Sequence, residues 1–425
     1  MKFKLPYGKT ETVTIEVPDK NLASIIDRGE APALKDPKEA LRKALKNPVG
    51  TPALKHMVKK GDKVVIVGDD ATRPTPQKVL IPVLLDELNV AGVPDGDVGL
   101  VVALGTHRKM NRNETLDVYG GEVTKRIQVE NHECWDSKRL VDLGEAESGF
   151  PIKLNRAVYE ADFVVGVGNI SPHIYAGWGG GGKIILPGVC GTETTAMIHL
   201  LGGKTRPFSA LIGKRDNEVR KRIDKVALKA GLKLIVNTVL NREEEVHRIV
   251  AGHPVEAFRD GVKTAEKIYC QKVPGYVDIA VVSSYPADID YWQAIKPVVH
   301  ACLAVKPGGT IVLITPCQEG ISPVHTVFRE RATLGYEANL EAIEKGELKD
   351  KVAGGTLLLH GQILERAEVV CYSEGLTKSD KEALGFKHAE TPQEAFEIAL
   401  KSQGVKSKVG VLKCGDVLPK FALTG

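Results

Sequence analysis

Residues 163–200 read FVVGVGNISPHIYAGWGGGGKIILPGVCGTETTAMIHL. The opening run, Phe163-Val164-Val165-Gly166-Val167, is apolar without alternation, the pattern of a strand buried on both faces in a parallel sheet. It leads into a loop carrying His173, the glycines Gly179 to Gly182, Lys183 and then His199. Consecutive glycines have no packing value of their own and weaken helices and strands. They suit a backbone that must come close to something flat or charged, here with a lysine over it and an imidazole on each side in sequence. The stretch therefore reads as a cofactor cradle centred on Lys183. A helix including Ala196 to Leu200 follows, with Thr192 or Thr194 as its cap.

Outward from this stretch the pattern is β-α-β. Towards the N-terminus, residues 2–17 read as two short strands joined near Pro6-Tyr7-Gly8, and a helix near Lys38–Leu45 ends at Pro48 and Pro52. A strand Lys63–Val67 enters the loop GDDATRPTP, followed by a helix Gln77–Leu88 and a strand Gly99–Leu104 that ends in GTHR. Further strands are expected near Arg126–Val129 and over Leu232–Leu240, with helices over 216–230 and Val255–Tyr269. A new unit begins at Pro274-Gly275 with a strand Val277–Val282, a helix near Tyr291–Val305, a turn at Pro307-Gly308-Gly309 and a strand Thr310–Ile314. A strand near Glu368–Cys371, a helix Pro392–Leu400 and a strand Lys408–Leu412 complete it. The alternation predicts an α/β protein of two doubly wound domains with the active site in the cleft between them. Residues 1–272 form the N-terminal, cofactor-binding domain and 273–414 the C-terminal one, with the tail 415–425 free to return to the first. Ligands in such sheets bind beyond the carboxyl ends of strands, so the loops after Val67, Leu104, Val167 and Val282 are expected to cluster.

Composition excludes several classes. The chain has 425 residues, 43% hydrophobic and 26% charged, an ordinary globular balance with room for two cores. Its net charge of +4 is spread along the chain, which suits a small anionic ligand and gives no basic block for nucleic acid. The seven cysteines (Cys134, Cys190, Cys270, Cys302, Cys317, Cys371 and Cys414) are scattered without a C-x-x-C pair, as expected of reduced thiols. No apolar run reaches membrane-spanning length, and the N-terminus lacks a signal-peptide core, so a cytoplasmic location without membrane contact is expected. The oligomeric state is not legible.

Each motif has a plain alternative. Gly177 to Lys183 fits G-x-x-x-x-G-K, but Ile184 stands where a phosphate loop needs Ser or Thr for magnesium. The same glycines fit G-x-G-x-x-G, as Gly166 to Ser171 nearly does, yet Pro172 stands where a dinucleotide-binding helix would start. In Gly68 to Pro76 the alternatives are an Asp–Arg pair that fixes the loop and an Arg73 whose planar fork clamps a carboxylate or phosphate. His107 and His173 both fall at strand ends of one sheet, where imidazole can act as acid or base near neutral pH. His132 reads as structural, and spacing leaves His199 open between a core histidine and a ligand. Gln293 and Lys296 share a helix face, either solvated or reaching an anion across the cleft.

Five pieces together resemble the nickel-dependent lactate racemase family: LPYG at 5–8, GDKVVIVGDDATRPTP at 61–76, ALGTHR at 103–108, SPHIYAGWGGGGKIILPGV at 171–189 and YWQAIK at 291–296. The resemblance implies a racemase or epimerase of 2-hydroxy acids. It also implies nickel held by a pyridinium-3,5-bisthiocarboxylic acid mononucleotide, a pincer cofactor joined to Lys183 as a thioamide and made by dedicated biosynthesis proteins. By the same resemblance His199 is the protein's nickel ligand and His107 and His173 are the acid/base pair. Asp70, Ala71, Thr72, Arg73, His173, Gly181 and Gly182 line the cofactor, and Arg73, Gln293 and Lys296 hold the substrate. Trp178-Gly179 departs from the family's smaller aromatic followed by Ser, which bears on the pocket's shape and so on the substrate.

Elementary chemistry agrees with that implication. Abstracting a proton beside an ionised carboxylate makes an electrostatically poor carbanion. Removing hydride from the α-carbon while the hydroxyl proton leaves passes instead through a 2-keto acid. That route needs a tethered hydride acceptor and a base for each enantiomer. Two rivals stand beside it: a nucleotide-dependent transferase that uses Gly177 to Lys183 as a phosphate cradle, and a non-catalytic two-lobed protein that binds a carboxylate.

Overall fold

The structure, a computed structural model, describes residues 1–146 and 149–421. Two six-stranded sheets organise it. The first runs in the order Val246–Gly252, Leu232–Leu240, Phe163–Asn169, Val64–Asp69, Val98–Ala103, Gln128–Asn131. It is parallel except for its antiparallel edge strand, Val246–Gly252. The second is parallel throughout, in the order Lys387–Ala389, Ala367–Tyr372, Val305–Ile314, Val277–Ser283, Val409–Leu412, Leu22–Ile26. The central strands are runs of β-branched residues buried on both faces, as doubly wound sheets require.

In the first sheet the chain starts in the middle, winds outward to one edge and then crosses to the other side; the second repeats this from Val277 onward, with Leu22–Ile26 as its far edge. The first changes direction between Val64–Asp69 and Phe163–Asn169, the second between Val277–Ser283 and Val409–Leu412. Loops on either side of such a switch point separate and leave a crevice. Here both crevices open onto one cavity, whose wall includes Asp70, His107, His173, Pro286 and Gly415. The four expected loops therefore meet.

The N-terminal segment contacts the second sheet. The hairpin Lys2–Tyr7/Glu11–Glu16 does form. However, Phe3, Leu5 and Ile15 pack into the core under Ile279 and Val281, and Leu22–Ile26 adds the edge strand of the second sheet beside Val409–Leu412. The hairpin and the strand Leu22–Ile26 thus pack on and pair with the second sheet. Near residue 272, Cys270–Val273 pairs with Leu418–Phe421, so the described part of the tail returns to the boundary itself; residues 422–425 lie outside the described residues.

Two local expectations change. The Thr192–Lys204 helix is capped by the Gly191 backbone, and the Thr194 hydroxyl instead accepts the Lys153 N–H at 2.8 Å. Pro307-Gly308-Gly309 lies inside the strand Val305–Ile314, where the pairing register shifts to absorb it. The units dock mainly through the helices Thr192–Lys204 and Lys351–Arg366. A side chain at Gly203 would collide with the Gly355 carbonyl, and one at Gly355 with the His199 carbonyl, so glycines set this contact. Among the described residues no helix is long and apolar enough to cross a membrane, and all seven cysteines are free thiols.

Candidate active site

Asp69 and Asp70 end the strand Val64–Asp69 and begin its loop. Asp69 accepts the Thr75 hydroxyl at 2.6 Å, which tightens the loop. Asp70 is 4% exposed; one oxygen accepts the Thr72 N–H (3.1 Å) and hydroxyl (2.5 Å), and the other lies 2.6 Å from Nδ1 of His107. Asp70 thus pairs with His107, not with Arg73, whose guanidinium donates back to the Thr72 carbonyl (3.1 Å) and hydroxyl (2.8 Å). Burial alone would raise the Asp70 carboxyl, but His107 and Arg73 hold it well below the usual carboxylate range. Burial keeps the His107 imidazole below its ordinary value despite Asp70. His107 therefore donates Nδ1–H to an ionised carboxylate and presents a bare Nε2.

The other two imidazoles are fixed by the backbone. Nδ1 of His173 accepts the N–H groups of Tyr175 and Ala176, each at 3.2 Å, so its proton sits on Nε2. Burial, with Lys183, Lys296 and Arg73 nearby, pushes this ring well below its ordinary value. Nδ1 of His199 lies 2.9 Å from the Thr195 carbonyl one turn back on its helix, so it carries the proton and Nε2 is bare. Burial holds His199 down at about 4. Its ring meets Tyr175 edge-on and lies parallel to Trp292 at 6.4 Å between centroids.

Lys183 stands on a short 3-10 turn, Gly181–Ile184, and its amine is lowered to about 7 by burial and then by Arg73. The glycines before it act differently from the cradle expected. A side chain at Gly180 would meet Asn237 and Ile170 (2.9 Å each), at Gly181 the Phe258 ring (2.8 Å), and at Gly182 the Ala227 methyl (2.7 Å). Gly180, Gly181 and Gly182 are glycine because they are pressed against protein, whereas a side chain at Gly179 would meet nothing closer than 3.4 Å. Gly179, Gly180 and Lys183 line the cavity, whereas Gly181 and Gly182 lie behind its wall. Arg220, buried beneath the loop, donates to the carbonyls of Trp178 and Gly180 (3.3 Å to the latter), and Asn237 accepts the Gly181 N–H at 2.8 Å. Trp178 is fully buried against Tyr269 and does not line the cavity, whereas Gly179, the other half of the departure from the family pattern, does.

From the second unit comes the helix Tyr291–Cys302, capped by Asp290, which accepts the Gln293 N–H at 2.8 Å. The Gln293 amide donates to the bare Nε2 of His107 at 2.9 Å, and Lys296 donates to the Gln293 carbonyl oxygen. Lys296 is pushed well below its ordinary value by burial, then by Arg73 and Lys183. Residues on either side of His107 also cross the cleft. Thr106 meets Nε2 of His325 at 3.0 Å, with Asp350 on Nδ1 at 2.8 Å, and Arg108 bridges Glu114 and Glu319.

The structure thus brings Asp70, Thr72, Arg73, His107, His173, Lys183, His199, Gln293 and Lys296 around one cavity, while Ala71 lines a smaller adjoining one. Lys183 and Lys296, two buried amines of lowered basicity, share the cavity with the Arg73 guanidinium, and the three together call for an anionic ligand. Sequence reasoning missed Arg220, Asn237, Trp292 and His325, because a buried arginine in an amphipathic helix looks like any solvated one. His132 is structural as expected, at 2.9 Å from the Cys190 carbonyl.

Comparison with known proteins agrees with this geometry. Residues 7–207 match the lactate racemase N-terminal domain and 270–417 the lactate racemase C-terminal domain. A lactate racemase of Lactiplantibacillus plantarum is 27% identical over 427 aligned positions, 97% of each chain. One of Thermoanaerobacterium thermosaccharolyticum is 28% identical over 322, 75% of each. The lactate racemase apoprotein structure from the latter organism superposes with a TM-score of 0.86 at 25% identity, covering 99% of this chain and 100% of that one. A Thermotoga maritima protein shares the fold at 0.69 and 20% identity, covering 93% of this chain and 100% of that one. The protein is an isomerase, of the racemase class. It belongs to the lactate racemase family.

Proposed function

We propose that the protein racemises or epimerises a 2-hydroxy acid, as its lactate racemase relatives do lactate, by moving hydride off and back onto the α-carbon. In this reading a nickel-pincer pyridinium mononucleotide is joined to Lys183. The observation that carries it is the arrangement around one cavity: the buried Lys183 amine, lowered to about 7, Nδ1 of His107 and of His199 each against an acceptor so that Nε2 is free of a proton, and Nδ1 of His173 accepting backbone N–H groups.

The residues fit such a group. An amine lowered to about 7 is nucleophilic at physiological pH and can form an amide-type bond. His199 offers one neutral imidazole nitrogen, a donor that suits nickel. Among the described residues no three His, Cys, Asp or Glu side chains converge, so a metal at His199 would draw its other ligands from the cofactor's sulfurs and ring. When bound, the group supplies a reversible hydride acceptor that stays in the site.

The chain's own residues do the rest. Arg73 and Lys296 receive the substrate carboxylate, whose charge relieves the repulsion that depresses His173. In one direction the hydroxyl proton passes to Nε2 of His107, displacing the Gln293 amide, and Asp70 stabilises the imidazolium. Once hydride has returned to the opposite face, the oxygen takes a proton from Nε2 of His173, which therefore enters the step as the imidazolium, its Nδ1 proton displacing the Tyr175 and Ala176 N–H groups, and leaves it as the neutral ring. The reverse direction uses the two in the opposite order, so each needs both. Cleft closure excludes water from the 2-keto acid between the two transfers. Loading depends on the host's cofactor-biosynthesis proteins, and the free thiols support a reducing, cytoplasmic setting.

The test is Lys183→Ala made in a host that produces the cofactor. The variant should retain its fold and lose both nickel and racemisation. Retained racemisation of lactate and related acids would refute the assignment. The phosphate-cradle rival lacks support, because the glycine run ends in a 3-10 turn facing protein and does not lead into a helix N-terminus.

A further inference from the structure

Gln293, Lys296 and His300 lie on one face of the Tyr291–Cys302 helix, and all three line the main cavity. His300 is 1% exposed and has no part in the mechanism above. Its Nδ1 lies 2.7 Å from the Gly415 carbonyl. A carbonyl can only accept, so the ring proton is on Nδ1 and Nε2 is an acceptor. That Nε2 is buried and has no hydrogen-bond partner. Burial holds the ring down at about 4, so it is neutral.

The polar groups beside it are already engaged. Both oxygens of Asp416 take Arg28, at 3.0 and 2.7 Å, and Lys296 donates to Gln293. Nε2 of His300 is therefore an unsatisfied acceptor on a residue that lines the cavity, whose wall also includes Pro286 and Ala287. A buried acceptor without a donor is costly, and a site that holds one rejects a ligand that cannot satisfy it. A methyl placed there would leave it unpaired; a hydroxyl would not.

We propose that His300 is a specificity residue which accepts a hydrogen bond from a hydroxyl on the substrate's side chain. The preferred substrates are then 2-hydroxy acids with a further hydroxyl beyond the α-carbon, not plain alkyl ones. The inference rests on the 2-hydroxy acid reading above and narrows it.

Two isosteric pairs test it on holoenzyme: 2,3-dihydroxypropanoate against 2-hydroxybutanoate, and 2,4-dihydroxybutanoate against 2-hydroxypentanoate. In at least one pair kcat/KM should favour the hydroxylated member about 10- to 100-fold. His300→Leu should bring that ratio to within about threefold of one. Ratios near one in the wild type, as an ordered water on Nε2 would give, overturn the proposal. A second measurement covers a variant that fails to fold. On unloaded wild-type protein the 15N shift of His300 Nε2 should move with the dihydroxy acid and stay put with its alkyl partner; no movement with either overturns the role. Turnover of no 2-hydroxy acid at all would defeat the functional reading alone, and the imidazole shift would still decide His300.

Discussion

The two walls of the cleft are built differently. The first unit's wall is made of loops that leave strand ends and carry Asp70, Arg73, His107, His173 and Lys183 within short sequence distance of buried β runs. The second unit's wall is one helix face, Gln293-Lys296-His300, steadied by the long helix Lys351–Arg366. In the proposed reaction the first holds the groups that change protonation or bond; the second positions them, through the amide of Gln293 on His107 and the amine of Lys296 on Gln293. Chemistry at strand ends is locally encoded, whereas positioning depends on which helix folds over it.

The division predicts a graded series. His107→Ala, on the chemical wall, should lower racemisation in both directions by about 10²–10⁴-fold with cofactor retained. A variant that kept wild-type kcat/KM would remove His107 from the chemistry. Since a racemase has an equilibrium constant of one, kcat/KM must remain equal for the two enantiomers. Lys296→Met, on the positioning wall, should act mainly on KM, raising it roughly 10- to 100-fold as a charge-assisted contact to the carboxylate is lost. If kcat alone collapsed, Lys296 would belong to the chemistry.

Much of the first wall was legible because its loops follow recognisable strands and its residues sit in compact motifs. The spacing of Gln293 and Lys296 showed a shared face but not what it faced. The edge strand Leu22–Ile26 was invisible, since its partner Val409–Leu412 lies almost four hundred residues away and a short apolar alternation fits either sheet. The glycine run was legible as important and its reason was misread: Phe258, Ala227 and Asn237, which demand it, come from later segments. The helix Lys351–Arg366 went unread because its glycines lower helix propensity, yet they are what lets it lie against Thr192–Lys204.

Two stability measurements sharpen the comparison. Gly203→Ala should cost about 1–3 kcal/mol, because the added methyl meets the Gly355 backbone and forces the two walls apart; an unchanged Tm would mean the docking is loose. Each unit also buries one structural histidine lowered to about 4 by desolvation, His132 in the first and His360 in the second. Their folded values lie below the ordinary value near 6.5. The unfolded chain therefore binds protons first as pH falls, and stability drops between about 6.5 and 4. At pH 5 each contributes a loss on the order of 2 kcal/mol. His360→Gln should flatten that acid limb in urea titrations, and an unaltered limb would show that His360 is not held neutral.

The central claim is a covalent one, and mass spectrometry of the Lys183 peptide tests it most directly. Protein isolated from a host that makes the cofactor should yield this peptide heavier by the thioamide-linked mononucleotide, with nickel present in the intact protein. An unmodified Lys183 in protein from that host that nonetheless racemises a 2-hydroxy acid would contradict the account.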